Sequence, residues 1–140
     1  MMSTTKSEFT GGCACAGLRY VLTQAPQNSI ICHCASCRKV AAAPVVPWIT
    51  VQTNHFRLSG TTAETYESSE KVKRFFCKLC ATHLIYSNDD RPGEIDITTC
   101  SLDDPDQFPP SHHSWLSDDL KWIEFGDALP KHPEFNSGSA

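Results

Sequence analysis

Cys77-Lys78-Leu79-Cys80 follows the strand-like run Lys73-Arg74-Phe75-Phe76 and precedes another, Leu84-Ile85-Tyr86-Ser87. A Cys-x-x-Cys between two strand-like runs puts two sulfurs on one tight turn. Zinc takes thiolate and imidazole ligands in a tetrahedron, so such a turn supplies half a site. The other half lies near the start of the chain, in Cys13-Ala14-Cys15. On a strand, residues i and i+2 share a face, so these two sulfurs also point one way. Cys13, Cys15, Cys77 and Cys80 therefore read as one complete four-sulfur zinc site. It fastens the first strand to a hairpin far along the chain, and its full coordination makes it structural.

The chain has eight cysteines, and three more are clustered in Cys32-His33-Cys34-Ala35-Ser36-Cys37. Cys32, Cys34 and Cys37 read as ligands of a second zinc, with the fourth position left to water or an incoming thiol. A thiol held by zinc loses its proton, and zinc polarises an aldehyde oxygen as a Lewis acid. Other readings stay open. His33, His55, His83, His112 or His113 closes the site as a second structural centre. Alternatively the triplet is metal-free and redox-active, although clustered free thiols invite oxidation. Disulfides are a third reading. Cys100, at the end of an apolar alternation, reads as a small core residue.

The 140 residues suffice for one domain, expected at 9–133 with flexible ends at 1–8 and 134–140. Hydrophobic residues make up 40%, enough for an ordinary core. The net charge of -4 argues against a nucleic-acid module, which shows a basic stripe. No apolar segment resembles a signal peptide or reaches the roughly 18–20 residues that span a bilayer. The expected location is a reducing one, the cytoplasm, where closely spaced cysteines are metal ligands before they are disulfides.

Short strands are expected at Leu18–Leu22, Ile30–Cys32, Val45–Val51, Phe56–Leu58, Thr65–Glu67, Lys73–Phe76, Leu84–Ser87 and Glu94–Thr99. Pro47 points to an edge strand or a bulge in the third. Turn signals separate the runs, and short helical turns are expected at Ser36–Val40 and Asp104–Phe108. The fold class is all-β.

These residues also resemble a known family. Gly12-Cys13-Ala14-Cys15, Leu18-Arg19-Tyr20, Cys32-His33-Cys34-Ala35-Ser36-Cys37-Arg38-Lys39 and Arg74-Phe75-Phe76-Cys77-Lys78-Leu79-Cys80 are similar to the glutathione-dependent formaldehyde-activating enzymes, a family that includes centromere protein V. Tyr66-Glu67-Ser68-Ser69, Leu102-Asp103-Asp104-Pro105, His113, Trp122 and Asp127-Ala128-Leu129-Pro130 extend the resemblance over roughly residues 9–133. It implies stacked, twisted antiparallel sheets, a fold shared with a zinc-bound Rab-exchange chaperone. It also implies a structural zinc on Cys13, Cys15, Cys77 and Cys80 and a looser one on Cys32, Cys34 and Cys37. The activity implied is carbon–sulfur lyase chemistry that joins glutathione to formaldehyde. The chain departs from the family at Ala16, Ala81 and Ala128 and in Val40-Ala41-Ala42-Ala43-Pro44, where glycine is common; glycine would allow φ > 0 there.

Arg38 and Lys39 either offset thiolate charge and hold a carboxylate of a thiol such as glutathione, or form a solvated basic pair. His113 and Trp115 are placed on one face of a late strand, beside a pocket or at a half-buried edge. Trp48 and Trp122 read as core, and Asp103-Asp104 as a turn. The combined expectation is a zinc-dependent lyase-like protein acting on a small thiol and a small aldehyde, with no nucleic-acid or membrane partner. The alternative is a non-catalytic zinc scaffold that binds glutathione or a protein.

Overall fold

The computed structural model describes residues 8–135. The ends expected at 1–8 and 134–140 fall outside these, apart from Glu8, Glu134 and Phe135. All eight runs expected as strands form strands: β2 (Arg19–Leu22), β3 (Asn28–Cys32), β4 (Val46–Gln52), β5 (Phe56–Ser59), β6 (Ala63–Ser69), β7 (Val72–Cys77), β8 (His83–Asn88) and β9 (Glu94–Thr98). Two more appear, β1 (Phe9–Gly12) and β10 (His112–Ser114). Neither has an apolar alternation to announce it; β1 ends in two glycines, and β10 is three residues long. One helix, α1 (Ala35–Ala41), and several single 3-10 turns complete the described residues, and none of these helices is long and apolar enough to cross a membrane.

The strands form a three-stranded sheet, β1-β2-β5, and a seven-stranded sheet, β10-β3-β4-β9-β8-β7-β6. All pairings are antiparallel except β10 with β3. Pro47 marks neither an edge nor a bulge, because β4 lies in the interior of the large sheet and its ladders with β3 and β9 run without a register shift. Its ladder with β9 begins only at Trp48, so the missing N–H breaks no bond there.

The twofold alternation of strand side chains divides the molecule into a core and a site. On one face of the large sheet Ile49, Val51, Ile97, Phe75 and Cys77 pack with Tyr20 and Leu22 from the small sheet and with Leu18 just before β2. On the opposite face Ile30, Cys32, Val46 and Trp48 pack with Cys37 of α1. A register shift lets Phe75 face Ile85 while Phe76 faces His83, leaving Leu84 as an extra residue. Such a bulge resets the alternation, so His83 and Tyr86 both lie against Trp48, with ring centroids 5.3 and 5.9 Å away. Gly60 has φ +111° at the end of β5, where a Cβ would sit 2.1 Å from the Gly17 carbonyl oxygen. Only glycine permits that approach to the turn carrying Cys15.

Candidate metal centres and cavity

The first centre joins both sheets. Cys13 and Cys15 lie in the turn after β1 rather than on a strand, closed by the Ala16 N–H bond to the Cys13 carbonyl; Cys77 ends β7, and Cys80 closes the turn into β8. The four sulfurs lie within 4.8 Å of one another, with Cys13–Cys15 at 3.6 Å and Cys15–Cys77 at 3.7 Å. A tetrahedron with metal–sulfur bonds of about 2.3 Å has sulfur–sulfur edges of about 3.8 Å. A disulfide would need about 2.05 Å. The donor set and its spacing fit zinc.

Hydrogen bonds hold the sulfurs in place. Leu18 N–H donates to Cys13 Sγ at 3.2 Å and Gly17 N–H to Cys15 Sγ at 3.4 Å. The hydroxyls of Thr62 and Thr82 lie 3.2 Å from Cys77 Sγ and Cys80 Sγ. The Thr82 hydroxyl is the main cause that brings the Cys80 thiol down to about 5. Such outer contacts orient metal ligands, and nothing in the spacing of the two threonines announced them. Ala16 and Ala81, where the family favours glycine, have φ of 64° and 68°. Both turns take the left-handed conformation at the expense of alanine strain.

The second centre lies on the other face of the large sheet. Cys32 ends β3, Cys34 caps α1 by accepting the Cys37 N–H at 3.3 Å, and Cys37 is buried one turn in. Their sulfurs also lie within 4.8 Å, with Cys32–Cys37 at 3.8 Å. Among the described residues no histidine, aspartate or glutamate joins either group. The three thiols are tightly linked. S–H groups of Cys32 and Cys37 draw the Cys34 thiol far down, helped by the Cys37 N–H and the charge of Arg74. Cys34 and Cys37, with burial, push Cys32 up. Cys37 is pushed up as well, so the negative charge of the set settles on Cys34, close to the Arg74 guanidinium.

The triplet opens into a cavity of about 400 Å³. Arg74, Tyr86 and Trp48 line it beside the sulfurs. Arg74 is 3% exposed. Its two terminal nitrogens each lie 3.8 Å from Cys37 Sγ, and its Nε donates to the Ser68 hydroxyl at 2.9 Å. At the polar end Arg91 grips Asp96 with two bonds of 2.8 and 2.9 Å. Trp115 and Phe135 stand at the rim. None of Cys13, Cys15, Cys77 or Cys80 lines this cavity.

Residues 8–118 match the family described as glutathione-dependent formaldehyde-activating enzyme. The chain belongs to this family. Membership points broadly to glutathione-dependent formaldehyde activation. No curated protein matches the sequence. Among solved structures, a Rhodobacter sphaeroides protein is similar at 18% identity and a TM-score of 0.56, over 67% of this chain and 87% of that one. At that identity the likeness is one of fold.

The segment beyond residue 118 lies outside the family match, yet it reaches the second centre. It folds back along β10: His113 N–H donates to the Pro130 carbonyl, His132 N–H to His113, and Leu116 N–H to His132. His33, between two cysteines of the triplet, has its Nε2 2.8 Å from His113 Nδ1. His113 Nε2 lies 3.0 Å from both Asp127 oxygens. Phe125 packs on both rings.

The remaining expected residues fall as follows. Arg38 spends its guanidinium on the backbone carbonyls of Asp118, at 2.7 Å, and His33, at 3.4 Å. Lys39 lines a second cavity together with Tyr66, Phe76, His83 and the other side of Arg74. Burial, and then the charge of Arg74, pushes His83 down to about 4. His113 is fully buried rather than half-buried. Trp115 does not continue its strand; it turns left-handed at φ 63°. Trp48 is core, but Trp122 is 73% exposed, outside both sheets. Cys100 is exposed as well, because β9 stops at Thr98 and a 3-10 turn over Thr99–Ser101 rotates it outward. Asp103 sits in the expected turn and pairs with Arg19.

Proposed function

We propose that this protein is a zinc-dependent carbon–sulfur lyase-like enzyme of the cytoplasm that makes and breaks the adduct of glutathione with formaldehyde. One observation carries the reading: of the two thiol clusters that fit zinc, only the three-thiol one opens into the main cavity. Cys32, Cys34 and Cys37 would hold the labile ion, and Cys13, Cys15, Cys77 and Cys80 the structural one, for about two zincs per chain. When bound at the triplet, zinc supplies ionisation of a thiol and polarisation of a carbonyl oxygen.

The reaction balances without an oxidant. The glutathione sulfur attacks the aldehyde carbon and forms a C–S bond. The C=O π pair becomes an alkoxide, which takes up the proton the thiol gave away. The reverse breaks the C–S bond. Trp48, Tyr86 and Trp115 wall the reacting end and limit water. Lys39, exposed at the neighbouring cavity, would hold a substrate carboxylate, whereas Arg38, bonded to the His33 and Asp118 carbonyls, would secure the loop that carries His33.

The test is exchange kinetics of S-hydroxymethylglutathione with and without the zinc-loaded protein. Acceleration that disappears in Cys34→Ser while the four-thiol zinc is retained supports the reading. Binding of glutathione without acceleration would make the protein a zinc-scaffolded binding module instead.

A further inference from the structure

Arg74 is a buried cation, and among the described residues no carboxylate lies within ion-pair distance of it. A guanidinium cannot shed its proton, so burying it is costly unless negative charge is supplied close by. Its hydrogen bond to a side-chain oxygen goes from Nε to the neutral Ser68 hydroxyl. Both terminal nitrogens face Cys37 Sγ at 3.8 Å. The guanidinium carbon lies over the ring of Tyr86, 5.1 Å from its centroid. The anion that completes this environment is sulfur.

A divalent ion held by three thiolates leaves the triplet with one net negative charge. A fourth thiolate would raise that to two, inside a low-dielectric pocket where like charges repel strongly. Neutral ligands such as water or imidazole meet no such opposition. Arg74 returns the resting triplet to neutrality and sits on the cavity side of Cys37, lining both cavities.

Resting on the reading of the triplet as a thiol site, we propose that Arg74 is the positioning residue that makes this centre select an anionic sulfur ligand over a neutral one. It acts through Cys37 by charge, and its substrate class is accordingly a thiol presented as thiolate. One charge acting over several ångströms at an effective dielectric of about 20 corresponds to roughly a hundredfold in affinity.

The experiment uses the full chain loaded with cobalt in place of zinc. Difference absorption on adding ligand reads the triplet alone, because the four-thiol centre has no free position. Glutathione is the anionic probe and imidazole the neutral one. Arg74→Gln should weaken glutathione about a hundredfold and imidazole less than threefold. Arg74→Lys should recover at least a tenth of the original glutathione affinity. Equal weakening of both probes, or no change in either, overturns the proposal.

Should Arg74→Gln lose the four-thiol cobalt spectrum and so fail to fold, Ser68→Ala decides. Freeing Nε should weaken glutathione about threefold and leave imidazole unchanged; an unchanged glutathione affinity overturns the role. If the unmodified protein holds cobalt at the triplet but glutathione adds no sulfur–cobalt intensity, the thiol-site reading itself fails and takes this role with it.

Discussion

The Nε2 of His33 lies 2.8 Å from the Nδ1 of His113, inside the sheet face that carries the triplet. Because the Asp127 carboxylate can only accept, His113 Nε2–H must donate to it. A neutral His113 then accepts at Nδ1, and His33 donates. One carboxylate on the C-terminal strap thereby fixes two ring orientations up to the loop between Cys32 and Cys34.

His113→Ala would remove both bonds and leave a cavity beside Phe125. We expect a loss of about 2–4 kcal/mol in chemical denaturation, the usual range for a large buried side chain with two hydrogen bonds. Zinc should leave the triplet about tenfold faster in a chelator competition, with release from the four-thiol centre unchanged. Equal release rates in both proteins would show that the relay does not support the triplet.

Ala16 and Ala81 pay for left-handed turns that glycine would adopt freely. That conformation costs a non-glycine residue about 1–2 kcal/mol, offset in part by the greater freedom glycine has when unfolded. Ala16→Gly and Ala81→Gly should each raise stability by about 0.5–1 kcal/mol, seen as a higher melting temperature in the zinc-loaded protein. The same holds for Ala42, at φ 51° just past the end of α1, where helices commonly end in glycine. A lower melting temperature in all three variants would refute the strain argument.

These alanines show what the sequence could convey. The thiol groupings were readable because each motif is local, two turns and a helix cap, although Cys13-Ala14-Cys15 lies in the turn after β1 and not on a strand as its spacing suggested. Eight of the ten strands were readable as short runs between turn signals, β1 and β10 were not, and glycine preference even marked two of the left-handed positions. Arg74 was not readable, since an arginine between Val72 and Phe76 gains meaning only when β7 is paired and Cys37 arrives from α1. The link from Asp127 to His33 depends on a strap folding back over β10. Thr62 and Thr82 reach sulfur only after the hairpin closes. Cys100 misled because it lies just past the end of β9, and Trp122 because it sits in an irregular turn that joins neither sheet.

Tyr20 offers a pH test away from the acid range where thiolate centres lose zinc. It is 1% exposed and bonded to the Ser101 hydroxyl at 2.7 Å, and burial pushes its phenol from 10.0 up to about 12. The folded state therefore keeps a proton that the unfolded chain gives up. This contribution is fully present below pH 10 and is lost as pH rises towards 12. The loss amounts to about 2–3 kcal/mol over that window. Denaturation curves between pH 9 and 12 should fall more steeply for the unmodified protein than for Tyr20→Phe. Parallel curves would mean that Tyr20 ionises as readily folded as unfolded.

Phe135 and Trp115 share the rim of the main cavity, although Phe135 belongs to a strap beyond the family match. The Trp115 N–H faces the Glu134 carbonyl at 3.5 Å, and Ser117 N–H donates to Pro133, which brings Phe135 to the rim. Its ring is about half exposed, at 48%, so substrate binding can bury the remainder. Truncating it forfeits apolar contact of about 1 kcal/mol. Phe135→Ala should therefore weaken glutathione binding threefold to tenfold in calorimetry while zinc content and melting temperature stay unchanged. Retained affinity would mean that the thiol lies wholly on the Arg74 side of the cavity and never reaches the strap.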